Sequence, residues 1–109
     1  MSNYQDKMNQ IQQMPGVTGV SVANGSGQIE TSTMNNPQSD LGTVASAMYS
    51  NIGVQIKRMQ RGTVKRLVLE TEAGITLLSG LEGGGLLIVF ADVVEGFNLP
   101  KLLVNAAQF

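Results

Sequence analysis

The longest strongly apolar run of the chain is Leu86–Ala91 (LLIVFA). Both faces of a strand with this sequence would be apolar, which is the pattern of a strand buried in the middle of a sheet. A run of this length is far too short to cross a lipid bilayer. It therefore predicts the central strand of a sheet, and the neighbouring segments are interpreted from it.

Two further strands are predicted just before this run, in residues 75–81 and residues 64–71. The turns 82–85 (EGGG) and 72–74 (EAG) separate the three segments, and links this short suit antiparallel neighbours. Residues 64–71 (VKRLVLET) mix apolar and charged side chains. We expect this strand to lie at an edge of the sheet, where charged side chains discourage unwanted pairing.

A long helix is predicted in residues 40–61, with Ser39 as its cap and Asp40 at the positive end of the helix dipole. Apolar residues recur at about 100° per residue, and we expect the resulting stripe to face the core. The stripe consists of Leu41, Val44, Ala45, Met48, Ile52, Ile56 and Met59. Gly62 is expected to end the helix.

A helix and two strands are predicted before the long helix. The helix covers residues 4–14, with Asn3 as a possible cap, and residues 15–16 (PG) end it. Val17–Ala23 and residues 28–34 are predicted to form a hairpin around the turn 24–27 (NGSG).

A last helix is predicted in residues 98–107, where leucine and alanine recur at helical spacing. The predicted order is α-β-β-α-β-β-β-α. This is an α+β fold with a five-stranded, largely antiparallel sheet flanked by helices. No internal linker is evident, so residues 1–109 are expected to form a single domain.

Composition excludes several classes of function. The 109-residue chain has seven basic and eight acidic residues, a net charge of −1, which gives no general attraction to nucleic acid. It has no cysteine and no histidine, so neither a thiolate site nor a Ser-His-Asp site can be built. Its acidic residues are scattered. We therefore expect no enzyme activity, no metal and no cofactor.

The N-terminal residues 1–13 are polar and lack the basic-then-apolar layout of a signal peptide. A cytoplasmic location without membrane insertion is expected.

Four stretches of the chain share a pattern with a known family: residues 11–20 (IQQMPGVTGV), 25–29 (GSGQI), the long helix in residues 39–61, and 88–92 (IVFAD) before a leucine-rich end. Together they resemble the roadblock/dynein light chain family, which includes MglB-like regulators of small GTPases. The resemblance covers nearly the whole chain. A longin or profilin-like domain would share the architecture without the opening stretch.

The resemblance implies that two copies of the chain pair, with their third strands edge to edge and their long helices side by side. It implies a scaffold or regulator of a Ras-like GTPase, or a structural adaptor in a larger complex without a GTPase. Pairing with a paralogue remains an alternative to a homodimer. A small-molecule sensor of profilin-like architecture is a third hypothesis.

The long helix has a second face of small residues, about 130° from the apolar stripe. We expect this face to contact a second helix, although an ordinary solvated face is an equally simple interpretation. On the third strand, basic residues come first and acidic residues last, so antiparallel self-pairing would set opposite charges across from each other. These charges could instead protect a free edge. The predicted interface consists of Thr43, Ala47, Ser50, Asn51, Val54 and Arg58 on the helix, and Lys65, Arg66, Val68 and Glu70 on the strand.

Five of the seven basic residues lie between Lys57 and Arg66. Compensation of the helix dipole explains them better than a patch for an acidic partner does. An arginine finger is conceivable for Arg58 or Arg61, but no feature of the sequence selects either one. The glycine-rich stretches separate pairs of strands, so we interpret them as hairpin turns, not as phosphate-binding loops.

Overall fold

The structure, a computed structural model, describes residues 4–109. In chain order its helices and strands are α1 (Tyr4–Gln12), β1 (Val17–Ala23), β2 (Ile29–Ser32), α2 (Leu41–Arg58), β3 (Arg66–Thr71), β4 (Gly74–Gly80), β5 (Leu86–Ala91) and α3 (Leu99–Ala107). The strands form one antiparallel sheet in the order β2-β1-β5-β4-β3. The predicted α+β fold and its element order are confirmed. In this part of the chain, no helix combines the length and apolarity that crossing a bilayer would require.

Strand β5 lies at the centre of the sheet, as its apolar sequence predicts. It pairs with β1 through Ile88 and Ser21, and with β4 through Ile88 and Leu78. Helices α1 and α3 cover one face of the sheet, where Met8, Ile11, Leu102 and Ala106 join the larger core. Strand β3 forms the predicted sheet edge, beside β4 alone.

Helix α2 covers the other face of the sheet over a smaller core. The buried members of this core are Ala23, Ala45, Leu78, Leu86 and Ile88, and from α2 the half-buried Leu41 and Tyr49 also pack against it. Gly42 brings the start of the helix close to the β1–β2 turn, because a Cβ atom at Gly42 would collide with the carbonyl oxygen of Gly27. The Tyr49 hydroxyl donates to the carbonyl oxygens of Val64 (2.8 Å) and Lys65 (3.1 Å). These contacts hold the first half of α2 on the sheet.

The prediction that the apolar stripe of α2 faces the core is wrong for most of its residues. Val44, Met48, Ile52 and Met59 are exposed by 46%, 38%, 37% and 66%. Periodicity indicates that a helix has an apolar face, but the width of the contact depends on the elements beneath it. Here the close approach at Gly42 and the size of Tyr49 set that contact, and the stripe extends beyond it.

Both predicted ends of α2 are also corrected. Asp40, not Ser39, is the N-cap, and its side chain makes no capping hydrogen bond. The helix ends at Arg58, before Gly62, because Gln60 adopts a left-handed conformation (φ 61°). The Gln60 and Arg61 amides then donate to the carbonyls of Lys57 and Ile56, which is the Schellman pattern of a helix end.

Other boundaries shift by a few residues. Strand β2 ends at Ser32, although the Thr33 amide still donates to the Val20 carbonyl oxygen. Strand β3 begins at Arg66, two positions after the predicted start, because the carbonyl of Val64 accepts the Tyr49 hydroxyl. Helix α1 ends at Gln12, before the predicted end. The predicted cap Asn3 lies outside the described residues.

Candidate interaction surface

The outer edge of β3 is free in the described part of the chain, and the hydrogen bonding shows which residues present their backbone there. The Leu81 amide donates to Gly85, toward β5, and the Gly80 amide donates to Lys65, toward β3. Because this alternation continues along an antiparallel pair, Leu67 and Leu69 direct their backbone groups toward β4. The N–H and C=O groups of Arg66, Val68 and Glu70 therefore point outward, and they form the free edge of β3.

Charge is distributed unevenly along this free edge. Lys65 and Arg66 lie at its start, and Glu70 lies near its end, shortly before Glu72. The side chain of Val68 packs against the larger core, so this residue presents mainly its backbone at the edge. Arg66 is half-buried, whereas Lys65 and Glu70 are exposed. The edge therefore combines unpaired backbone groups with a basic start and an acidic end.

The predicted small-residue face of α2 points away from the sheet, and we call it the outer face of α2. Its five small residues, Thr43, Ala47, Ser50, Asn51 and Val54, are all exposed, and so is the predicted interface residue Arg58 on the same face. Val54 is the most apolar of them and is 55% exposed. The exposed stripe residues Val44, Met48, Ile52 and Met59 flank this face. Sequence reasoning missed them because it assigned them to the core, so the apolar surface of α2 is larger than predicted.

The second half of α2 has little of this chain beneath it. A Cβ atom built at Gly53 would meet no atom within 4 Å, whereas one at Gly42 would collide with Gly27. From Asn51 to the end of the helix, all residues are exposed apart from Gly53 and Ile56, which are half-buried. A glycine in the middle of an exposed helix costs about 1 kcal/mol relative to alanine. Gly53 was therefore the one residue whose type could have indicated, from the sequence, that the second half of α2 is uncovered.

The predicted interface residues are brought together only in part. Ser50, Lys65 and Arg66 line one groove between α2 and the start of β3, together with Tyr49. Thr43 lies at the other end of the helix, beside Gly27 of the β1–β2 turn. The uncovered half of α2 and the start of β3 thus form one continuous region, and Thr43 is remote from it.

The glycine-rich stretches and Arg58 lie at separate places in the fold. The glycines at 25–27 lie in the turn between β1 and β2, and those at 83–85 lie between β4 and β5, as predicted. The Arg58 guanidinium donates to Gln55 Oε1 at 3.2 Å on the surface of α2. Across residues 4–109, no group of three acidic, histidine or cysteine side chains is arranged to hold a metal ion.

Comparison with known proteins identifies the fold. No family model matches the chain, and no curated protein matches it. Among solved structures, a Roadblock/LC7 domain from Streptomyces avermitilis matches with a TM-score of 0.81 and 22% identity, over 98% of this chain and 91% of that one. The gliding protein MglB from Thermus thermophilus matches with a TM-score of 0.79 and 13% identity, over 95% and 80% of the two chains. An MglB with a tetrameric arrangement also matches, with a TM-score of 0.79 and 13% identity, over 95% and 79%.

The chain therefore has the roadblock fold. At these identities the likeness concerns the fold, and the resemblance found in the sequence is confirmed at that level.

Proposed function

We propose that the chain is a non-catalytic module that forms a homodimer and binds a Ras-like small GTPase. The observation that carries the proposal is that two uncovered surfaces lie side by side. Strand β3 ends the sheet with outward backbone groups, and the second half of α2 leaves apolar side chains in solvent. One further subunit can cover both surfaces at once, by extending the sheet and by laying its own α2 beside this one.

The physical chemistry of both surfaces favours their burial by a second subunit. An exposed strand edge is a template for pairing with another strand. Val54 lies on the flank of α2 beside Thr63 and Val64 and is 55% exposed, and burying a large apolar side chain completely stabilises a complex by about 1.5–3 kcal/mol. Covering the exposed part of Val54 on each copy would contribute roughly 1 kcal/mol apiece. Together with the backbone hydrogen bonds, this would favour a dimer.

The proposed GTPase site is the surface that the two paired α2 helices leave exposed to solvent in the dimer. Only the dimer presents it, because each copy supplies half. The GTPase as partner is supported by the resemblance of the sequence to the roadblock family and by the fold shared with MglB. The absence of histidine and cysteine from the chain supports a binding role over a catalytic one.

The dimer is tested with a charge placed on the outer face of α2. We expect Ala47→Glu and Val54→Glu to give folded monomers, because dimerisation would bury each carboxylate without a partner. Val104→Glu is the matched control, since Val104 is 57% exposed on α3, on the opposite side of the sheet. Sedimentation velocity at micromolar concentration gives the mass of each variant, and circular dichroism shows that each is folded. A wild-type chain that sediments as a monomer would contradict the proposal.

The GTPase is tested separately. Ras-like GTPases encoded in the same genome are loaded with GDP or a non-hydrolysable GTP analogue and captured on the immobilised wild-type chain, with the Val54→Glu monomer as control. We expect capture of one GTPase by the wild type and its loss with the monomer. A stable dimer that captures none of them would favour the structural adaptor instead.

A further inference from the structure

We infer that the free edge of β3 selects a second copy of this chain in one register, with Val68 of each copy opposite Val68 of the other. The inference rests on the proposed homodimer and specifies its partner and geometry. It follows from three properties of the edge: the direction of its backbone groups, the face on which each side chain lies, and the order of its charges.

The backbone restricts the possible registers. Arg66, Val68 and Glu70 direct their N–H and C=O groups outward, so each must lie opposite a residue of the other copy whose backbone groups also point outward. A two-fold axis perpendicular to the sheet also keeps the two α2 helices on one face, as the proposed dimer requires. Both conditions allow antiparallel registers centred on residue 67, 68 or 69. They exclude registers whose axis falls between two residues, because outward-pointing backbone groups would then lie opposite inward-pointing ones.

The register centred on Val68 uses the edge most completely. It sets Arg66 opposite Glu70 of the second copy and Val68 opposite Val68, so every outward residue of β3 finds a partner within the strand. Centring on Leu67 sets Glu70 opposite Val64, which lies before β3. Centring on Leu69 sets Arg66 opposite Glu72, which lies in the turn after β3. Each alternative therefore loses part of the hydrogen-bonded ladder.

Charge disfavours the register centred on Leu67, where Glu70 lies opposite Val64, and the register centred on Val68 combines opposite charges with apolar contacts. By symmetry the Arg66–Glu70 pair forms twice, and opposite charges directly across two strands stabilise their pairing. On the other face of the sheet, Leu67 lies opposite Leu69 of the second copy. Leu67 packs against the smaller core under α2, and both leucines are half-buried in the single chain. The new contact would continue that core across the dimer axis.

The order of charges along β3 also indicates which partner strand fits the edge. A strand with a base at its start and an acid at its end matches a copy of itself when the two run antiparallel. A paralogue would match equally well only if its own edge carried the same order. We therefore expect the edge to favour the homodimer.

Cysteine cross-linking tests the register directly, because the natural chain contains no cysteine. In the proposed register, residues 67 and 69 of the two copies form a non-hydrogen-bonded pair with Cα atoms about 4.5 Å apart. This distance lies within the range that a disulfide spans. Leu67→Cys and Leu69→Cys are each purified alone and also co-expressed with different tags, then oxidised with copper–phenanthroline. Thermal unfolding confirms that both variants fold.

We expect a covalent dimer from the co-expressed pair and little from either variant alone. Rapid cross-linking of Leu69→Cys with itself would place the axis at residue 69, and that of Leu67→Cys would place it at residue 67. Either result overturns the inference and leaves the homodimer intact. A dimer in sedimentation that cross-links in none of these experiments would also overturn it. A monomer in sedimentation would instead remove the proposed function itself.

A charge swap tests the selection of the partner. Arg66→Glu alone and Glu70→Arg alone set like charges opposite each other twice, and we expect each to weaken its own dimer by roughly ten-fold or more. A mixture of the two variants restores both attractive pairs, so we expect a heterodimer of about wild-type affinity. Glu30→Arg, on the opposite edge strand β2, is the matched control. Dimerisation of either single variant at wild-type strength would overturn the inference.

Discussion

The close approach of α2 to the β1–β2 turn predicts that one substitution has opposite effects at two sites of the same helix. Gly42 and Gly53 both lie within α2. An added methyl group at Gly42 would collide with the carbonyl oxygen of Gly27, whereas at Gly53 it would enter open space. We expect Gly42→Ala to destabilise the fold and Gly53→Ala to stabilise it.

The collision at Gly42 has no easy relief because the turn it meets is held firmly. The Gly27 amide donates to the Asn24 carbonyl oxygen (2.9 Å), and the Asn24 side chain accepts from the amides of Ser26 and Gln28. The helix must therefore move away from the sheet. Overpacking of this kind costs about 1–3 kcal/mol, and alanine recovers about 1 kcal/mol of helix propensity. The net loss at Gly42 is up to about 2 kcal/mol, against a gain of up to about 1 kcal/mol at Gly53.

Urea unfolding measures both effects. The two substitutions are made in the Val54→Glu variant, so that dimerisation does not contribute to the free energy of unfolding. With a slope of about 1–2 kcal/mol per molar urea, we expect the midpoint to fall by roughly 1 M for Gly42→Ala and to rise for Gly53→Ala. A higher midpoint for Gly42→Ala would refute the close packing of α2 on the β1–β2 turn. Equal shifts of the midpoint for the two variants would show that helix propensity alone determines the change in stability at both sites.

Two further predictions concern the end of α2 and its attachment to β3. Gln60→Gly should raise the free energy of unfolding by about 1 kcal/mol, because Gln60 occupies a left-handed conformation that glycine adopts without steric cost, and thermal unfolding measures the gain. Gln60→Ala, which keeps the steric cost, is its control. Tyr49→Phe should lower stability by about 1 kcal/mol and speed amide hydrogen exchange in residues 63–66, since its hydroxyl holds the carbonyls of Val64 and Lys65. Unchanged exchange in these residues would contradict that role.

The strands were predictable where their burial is extreme. Leu86–Ala91 and Val17–Ala23 have the predicted bounds, because their apolar side chains need cover from both sides and only the interior of a sheet supplies it. Strands β4 and β3 follow from turns too short for any link but an antiparallel one. The mixed charges of β3 then indicated its place at the edge, where the structure has it.

The two surfaces of the candidate interface were predictable to different degrees. The exposed small-residue face of α2 follows from helical periodicity, and all five small residues predicted for it are exposed. That periodicity could not show that Met48 and Ile52 lie in solvent, since an apolar side chain has the same spacing whether or not another element covers it. The distance of Thr43 from the other predicted interface residues could not be predicted either, because it depends on where α2 crosses the sheet.

The sequence by itself determined the order of the elements, the antiparallel sheet and its central and edge strands, because these depend on patterns and turns within short segments. Only the tertiary structure decided which half of α2 the sheet covers and which residues of β3 present their backbone at the edge. Both depend on contacts between distant segments, namely Gly42 with Gly27 and Lys65 with Gly80. The burial of a residue and the direction of its hydrogen bonds depend on which residues lie beside it, and only the folded chain brings those residues together.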